Sequence, residues 1–351
     1  MHHTASGDEG YASINEFREK VPLTTYEDYR AYIDRMVFDG ERNLLSSEDI
    51  VYFSTSSGTT GKMKLLPLVA ETMKKIGEST RIGTAITRRS FPPSSLPVPE
   101  QRTFNLLSGK KTEMFQRSKD GIPIGPLSQS FSAFSSIPRN RSLFSTNNTV
   151  TLDMIEEIPD FETSVFVQLV FALATSNICS YSTALPPVFI HTVKMIENYF
   201  DEMSLCISYA NFAHSSLVQN NISDSEFIAS LNRTLNEATV KYGGEVYRLE
   251  RAKHIRNECL KKDAAGILHR LWPNLIYASA AIGSTFSMYK KEVQFYCGER
   301  LPLINMGVYI SSEGPLGVLA SIHTDEYFLL PTCVFFEFIK EEDVEQVRCP
   351  S

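Results

Sequence analysis

At 351 residues the chain is longer than one hydrophobic core comfortably serves, so one large domain with two lobes, or two domains, is expected. Apolar residues make up 42% and charged residues 21%, ordinary globular usage that excludes a disordered or fibrous chain. A formal charge of -7 leaves no surplus of lysine and arginine to neutralise a nucleic-acid backbone or an anionic bilayer, so neither is expected as a partner.

Six cysteines, at 179, 206, 259, 297, 333 and 349, form no CxxC pair and no metal-ligand spacing, which reads as reduced thiols without a zinc site. The N-terminal residues lack the basic and apolar regions of a signal peptide, and no run approaches the roughly 20 apolar residues of a membrane span. A cytoplasmic protein is expected, with the sequons at Asn140, Asn147, Asn221 and Asn232 unmodified.

In chain order, Thr24 stands three before Glu27, a capping-box signal, and Tyr26, Tyr29, Ile33 and Met36 then share one helical face, which predicts a short helix. Ile50 to Phe53 form a β-branched and aromatic run that ends abruptly in serine, threonine and glycine, a strand feeding a polar loop. Loops are expected over 91–99 and 109–125, flanking a strand at 103–107. The apolar run FVQLVFALA at 166–174 is too short to span a membrane and reads as a buried helix. Helical periodicity follows the Pro186-Pro187 start through Met203 and returns over 224–241 and 245–271. The basic stretch Arg248 to Lys262 reads as a solvated helix face. Beyond Pro273 the pattern becomes strand (275–281), helix (286–296) and strand (303–310), with a further strand at 333–339.

Chemistry concentrates in Ser54 to Lys64. Glycines let backbone N–H groups approach phosphoryl oxygens, hydroxyls donate further hydrogen bonds, and lysine offsets the charge. By composition alone a plain Ser/Gly loop remains the alternative. It is not a Walker loop, because Ser56 occupies the position where GxxxxGK requires the first glycine. A second segment, Met306 to Gly314, runs from a strand into small polar residues and Glu313. In an open α/β sheet ligands bind beyond the carboxyl ends of strands, a tyrosine can stack on a base, and one carboxylate can hold Mg2+ beside a triphosphate. A plain strand end with an exposed glutamate is the alternative there. Histidines 191, 214, 254, 269 and 323 lack metal-ligand spacing, and Ser56 and Ser57 lack a nucleophile elbow, so neither a metal centre nor a serine hydrolase is expected.

The order Thr-Ser-Ser-Gly-Thr-Thr-Gly-Lys-Met-Lys resembles the phosphate loop of the adenylate-forming superfamily, with Met63 where proline is usual and Lys64 keeping the lysine. With 271–314, the VPLTTYEDYRAYIDRM segment and the FFEFI run at 335–339, it resembles the Gretchen Hagen family of acyl-acid amido synthetases. That resemblance implies the α/β N-terminal domain of an adenylate-forming enzyme, sheets flanked by helices, using ATP and Mg2+. A small carboxylic acid attacks the α-phosphate of ATP, pyrophosphate leaves, and an amine or amino acid takes the acyl group. Carried over by motif, Ser56, Ser57, Gly58, Thr59, Thr60 and Lys64 grip the phosphates, Tyr309, Ser311, Ser312 and Gly314 line the nucleotide, and Glu313 is the Mg2+ ligand, Lys64 and Glu313 serving catalysis.

Family members continue into a Tyr-Arg-x-Gly-Asp segment that binds the ribose, then a C-terminal lid domain with a catalytic lysine. Neither precedes Ser351, so residues 1–351 are expected to be an incomplete N-terminal adenylation domain without its lid, binding ATP weakly and turning over poorly. A truncated, non-catalytic nucleotide-binding or regulatory homologue is the alternative reading.

Overall fold

The computed structural model describes residues 13–22, 24–56, 63–92, 102–106, 116–127, 130 and 153–343. The loop residues 57–62, and the parts of the expected loops at 93–99 and 109–115, lie outside them. The first elements are helix α1 (Ile14–Lys20) and helix α2 (Tyr26–Asp34). The cap of α2 falls one residue later than the sequence suggests. Thr25, not Thr24, is the N-cap, and its box partner is Asp28, whose carboxylate accepts from the Thr25 N–H at 2.7 Å. A π-helical turn, Arg35–Asp39, carries Met36 and Val37 into a small core with Ile33 and Phe53 before Gly40, at φ 73, ends it.

Strands β1 (Ile50–Thr55) and β2 (Leu65–Val69) pair antiparallel, and β2 leads directly into the long helix α3 (Ala70–Arg89). Strands β3 (Arg102–Asn105), β4 (Gln116–Arg117) and β5 (Pro123–Pro126) follow, β5 lying parallel beside β1, so the first sheet runs β2-β1-β5-β4. Helix α4 (Phe161–Ala174) is buried on every face from Thr163 to Ala174, as its unbroken apolar sequence requires. Strand β6 (Ile178–Ser182) and helices α5 (Pro186–Tyr209), α6 (Ser216–Asn221), α7 (Ser225–Val240), α8 (Gly244–Cys259) and α9 (Ile267–Leu271) come next. The expected single helix over 245–271 is thus two. Asp263 at φ 57 and Gly266 at φ 75 adopt left-handed conformations that no helix continues through.

Strand β7 (Tyr277–Ala280), helix α10 (Lys290–Cys297) and strand β8 (Leu303–Asn305) complete an all-parallel second sheet, β3-β6-β7-β8. Its largest side chains, with those of α4 and α5, form the main core around Trp272, Tyr181, Phe104 and Phe166. The strand expected over 303–310 breaks at Met306-Gly307. Strand β9 (Val308–Ser311) belongs instead to a third, antiparallel sheet with β10 (Gly314–Leu319) and β11 (Tyr327–Leu329). The expected strand over 333–339 does not form. Phe335 packs edge-on against Phe17 at 5.3 Å and Glu337 pairs with Arg18 at 2.7 Å, so the run docks on α1 instead of joining a sheet.

The Arg248 to Lys262 stretch is only partly solvated, which corrects its reading as an exposed face. Arg248 and Arg251 lie on the buried side of α8 with Ala252, Ile255 and Cys259. The last turn of α4 leaves carbonyls without helical partners. Arg251 Nε donates to Leu173 O at 2.7 Å, Tyr247 Oη to Ala174 O at 2.8 Å, and Trp272 Nε1 to Ala172 O and Thr175 O at 3.0 and 3.1 Å. Burial disfavours the Arg251 charge, and the negative end of the helix dipole offsets part of that cost.

Candidate nucleotide site

Thr55 stands opposite Leu65 in the β1–β2 hairpin, so residues 56–64 are its connection. Its stem is closed twice. Ser56 N donates to Lys64 O at 3.0 Å, and Lys64 N donates to Ser56 Oγ at 3.1 Å, leaving the Ser56 hydroxyl proton free to donate elsewhere. Tyr26, at the start of α2, reaches the same stem: its hydroxyl accepts from Leu65 N at 2.9 Å and donates to Leu65 O at 3.2 Å. The Lys64 ammonium lies 5.5 Å from the centre of the Tyr26 ring.

The second segment is the β9–β10 hairpin, in which Ser311 faces Gly314 and Ser312-Glu313 form the two-residue turn. Gly314, at φ 143, takes a conformation that side-chain-bearing residues rarely adopt. Glu313 N donates to Ser311 Oγ at 3.3 Å, and the Glu313 side chain is exposed. Tyr309 is 50% exposed; its ring lies 5.6 Å from that of Tyr327, whose hydroxyl donates to Met306 O at 2.9 Å. Burial pushes the Tyr327 phenol pKa above its ordinary value, so it stays a neutral donor in this bond.

The two hairpin ends meet. Ser312 Oγ donates to Thr55 O at 3.4 Å, joining the turn of the second segment to the last residue of β1. Helix α3 holds this arrangement from behind. Its Met73 and Ile76 share a small core with Tyr52, Leu68 and the β9 residue Ile310. Further along, Gly83 lies so close to Gly307 that a Cβ there would stand 2.4 Å from the Gly307 carbonyl oxygen. At the carboxyl end of β8, Asn305 Oδ1 accepts from Ile282 N and Met306 N at 3.1 and 3.0 Å, so the second segment leaves the parallel sheet at its carboxyl edge, where α/β sheets bind ligands. A small pocket lined by Phe91, Thr103, Cys179 and Tyr277 lies toward the amino ends of those strands, away from both hairpins.

Of the residues singled out in the sequence, Ser56, Lys64, Ser311, Ser312, Glu313 and Gly314 come to adjoining hairpin ends, and Tyr309 stands within strand β9 of the second hairpin, opposite Gly317. Ser57, Gly58, Thr59 and Thr60 lie outside the described residues. No cluster of three acidic, histidine or cysteine side chains suited to a metal ion occurs among the described residues. A hard cation that keeps most of its waters and binds substrate phosphates needs only one or two protein carboxylates, and Glu313 fits that requirement. Tyr26, Tyr327, Asn305 and Gly83 were not marked in the sequence as parts of this site. Their contacts are long-range, and only the tyrosine-rich face of α2 gave a local signal. No helix among the described residues is long and apolar enough to cross a membrane.

Comparison with known proteins places these features in a family. Indole-3-acetic acid-amido synthetase GH3.17 of Arabidopsis thaliana is 27% identical over 95% of this chain and 52% of its own length. GH3.15, an indole-3-acetic acid-amido synthetase of the same plant, is 26% identical over 96% of the chain and 53% of its own length. The chain thus spans about half the length of these curated relatives. The solved structure of the Arabidopsis GH3.15 acyl acid amido synthetase in complex with 2,4-DB superimposes with a TM-score of 0.72, 24% identity, and coverage of 92% of this chain and 52% of that one; it shows the same fold. Residues 4–303 match the model of the GH3 family N-terminal domain, and the chain belongs to the GH3 family.

Proposed function

We propose that the chain carries the N-terminal adenylation domain of an acid–amine ligase, which activates a small carboxylic acid with ATP and passes the acyl group to an amine or amino acid. The observation that carries this reading is the hydrogen-bonded meeting of two hairpin ends, one bearing Ser56 and Lys64, the other Ser311, Ser312 and Glu313. Relatives named as amido synthetases supply the reaction class.

In this reading MgATP is the co-substrate, and Glu313 would hold Mg2+, which would supply positive charge at the phosphates. The chain's own groups do the rest. The Lys64 ammonium and the Ser56 hydroxyl face the phosphate chain, joined on sequence grounds by Ser57, Gly58, Thr59 and Thr60. The half-exposed Tyr309 ring offers a flat apolar face to the base, and Ser311, Ser312 and Gly314 line its edge. The carboxylate oxygen forms a bond to the α-phosphorus as the bond to the pyrophosphate oxygen breaks. The amine nitrogen then displaces AMP at the acyl carbon and gives up its proton. Positioning and charge stabilisation carry such a transfer, so no nucleophile–base pair is required.

The test is acid-dependent pyrophosphate release from ATP with a panel of carboxylic acids. Release should depend on the acid and fall about a hundredfold or more in Glu313→Ala. Release that ignores both the acid and Glu313 would overturn the assignment.

A further inference from the structure

We propose that Tyr26 is a positioning residue for Lys64, acting from helix α2 on both the backbone and the ammonium group of the loop stem; its bearing on ATP rests on the function proposed above. Strand β2 is the edge of its sheet. Ser56 N donates to Lys64 O and Lys64 N to Ser56 Oγ across the hairpin, and the next residue of the edge strand, Leu65, turns its N–H and C=O outward. A third strand would normally fill those outward groups. Here one phenol does so, taking the Leu65 N–H and giving its own proton to the Leu65 C=O.

The same ring lies beside two cations. The Arg30 guanidinium is 4.8 Å from its centre, held by two 2.7 Å bonds to Glu27, and the Lys64 ammonium is 5.5 Å from it. No smaller or purely aliphatic side chain supplies both the double hydrogen bond and the aromatic face. Tyr26 is in turn fixed by the capping box of Thr25 and Asp28, which starts α2 at this residue. Helix α2 thus sets where the candidate phosphate-binding lysine rests.

Tyr26→Phe and Tyr26→Leu in the full chain separate the two contacts. Without nucleotide, amide exchange at Leu65 should quicken about tenfold in both variants. Acylation of Lys64 by acetic anhydride, read by mass spectrometry, should stay at the wild-type rate in the phenylalanine variant and rise about two- to fivefold in the leucine variant. The upfield ring-current shift of the Lys64 ε-protons in the wild-type chain reads the contact without any variant. Its absence, or a Lys64 acylation rate unchanged in Tyr26→Leu, overturns the proposal. ATP titration forms a separate arm. A wild-type chain that binds no ATP sinks the function proposed above and leaves exchange and acylation to decide on Tyr26, whereas a chain that binds ATP with equal affinity in all three forms denies Tyr26 any part in binding.

Discussion

Trp272 shows how a single side chain closes an account that the sequence leaves open. Its indole N–H serves two carbonyls at the buried end of α4, Ala172 O and Thr175 O. Trp272→Phe keeps most of the apolar volume and strands Thr175 O, while Ala172 O keeps its bond from Thr175 N, a loss of about 1–3 kcal/mol for a buried group left unsatisfied. Chemical unfolding should shift to lower denaturant accordingly, and an unchanged midpoint would contradict this role. The cysteines make a second residue-scale prediction. Burial pushes the thiols of Cys206, Cys259 and Cys297 up to about 12, and that of Cys179 upward, whereas Cys333 is partly exposed. At pH 8 a disulfide reagent should modify Cys333 in the folded chain and reach the four buried thiols only on unfolding; rapid reaction of any of the four would contradict their burial. Arg248 and Arg251 explain one misreading. With Ala252, Ile255 and Cys259 they repeat at helical spacing, so the stripe was present in the sequence, but two positive charges on it read as solvent-facing. What seats Arg251 there is the end of α4, remote in the chain.

Among the elements, α3 bears a close backbone approach, where Gly83 meets Gly307. In an open helix Gly→Ala stabilises by about 1 kcal/mol. At this seam the added methyl would stand 2.4 Å from a carbonyl oxygen, and overpacking of this kind costs about 1–3 kcal/mol. Gly83→Ala should therefore lower the thermal midpoint and loosen β9 and β10 in hydrogen exchange, and a raised midpoint would contradict the seam. Helix α2 adds a pH dependence. The Thr25 amide and hydroxyl hold the Asp28 carboxyl below its ordinary pKa, so this cap's contribution is present above the ordinary carboxylate value and is lost as pH falls through the lowered folded value. The first turn of α2 should fray in acid by NMR, and Asp28→Asn should remove that dependence.

The elements that the sequence marked well were those with a strong apolar pattern: α4 and β1 by unbroken apolar runs, α5 and α7 by helical periodicity, and β7 by its short apolar stretch. The breaks were harder to see. Asn305 and Gly307 split one apolar run into strands of two different sheets because a side-chain bond to Met306 N and contact with α3 redirect the chain there. The short β11 carried too little pattern to register, and the aromatic run at 335–339 looked like a strand while packing on α1.

Across the whole molecule, three sheets converge so that segments about 250 residues apart in sequence come within hydrogen-bonding distance, a separation that reflects how much chain must fold before the site exists. Both motifs stood out because the phosphate chemistry proposed for them would restrict residue types. Their junction through Ser312 and Thr55, and its backing by α3, depended on packing that no local pattern encodes. The central claim is that the two hairpin ends form one nucleotide site. Hydrogen exchange of the 351-residue chain with and without MgATP tests it most directly. The account predicts nucleotide-dependent protection in two places together, 50–69 and 306–319, with helices α7 and α8 unchanged. Protection of one segment without the other, or protection confined to the helices, would contradict it.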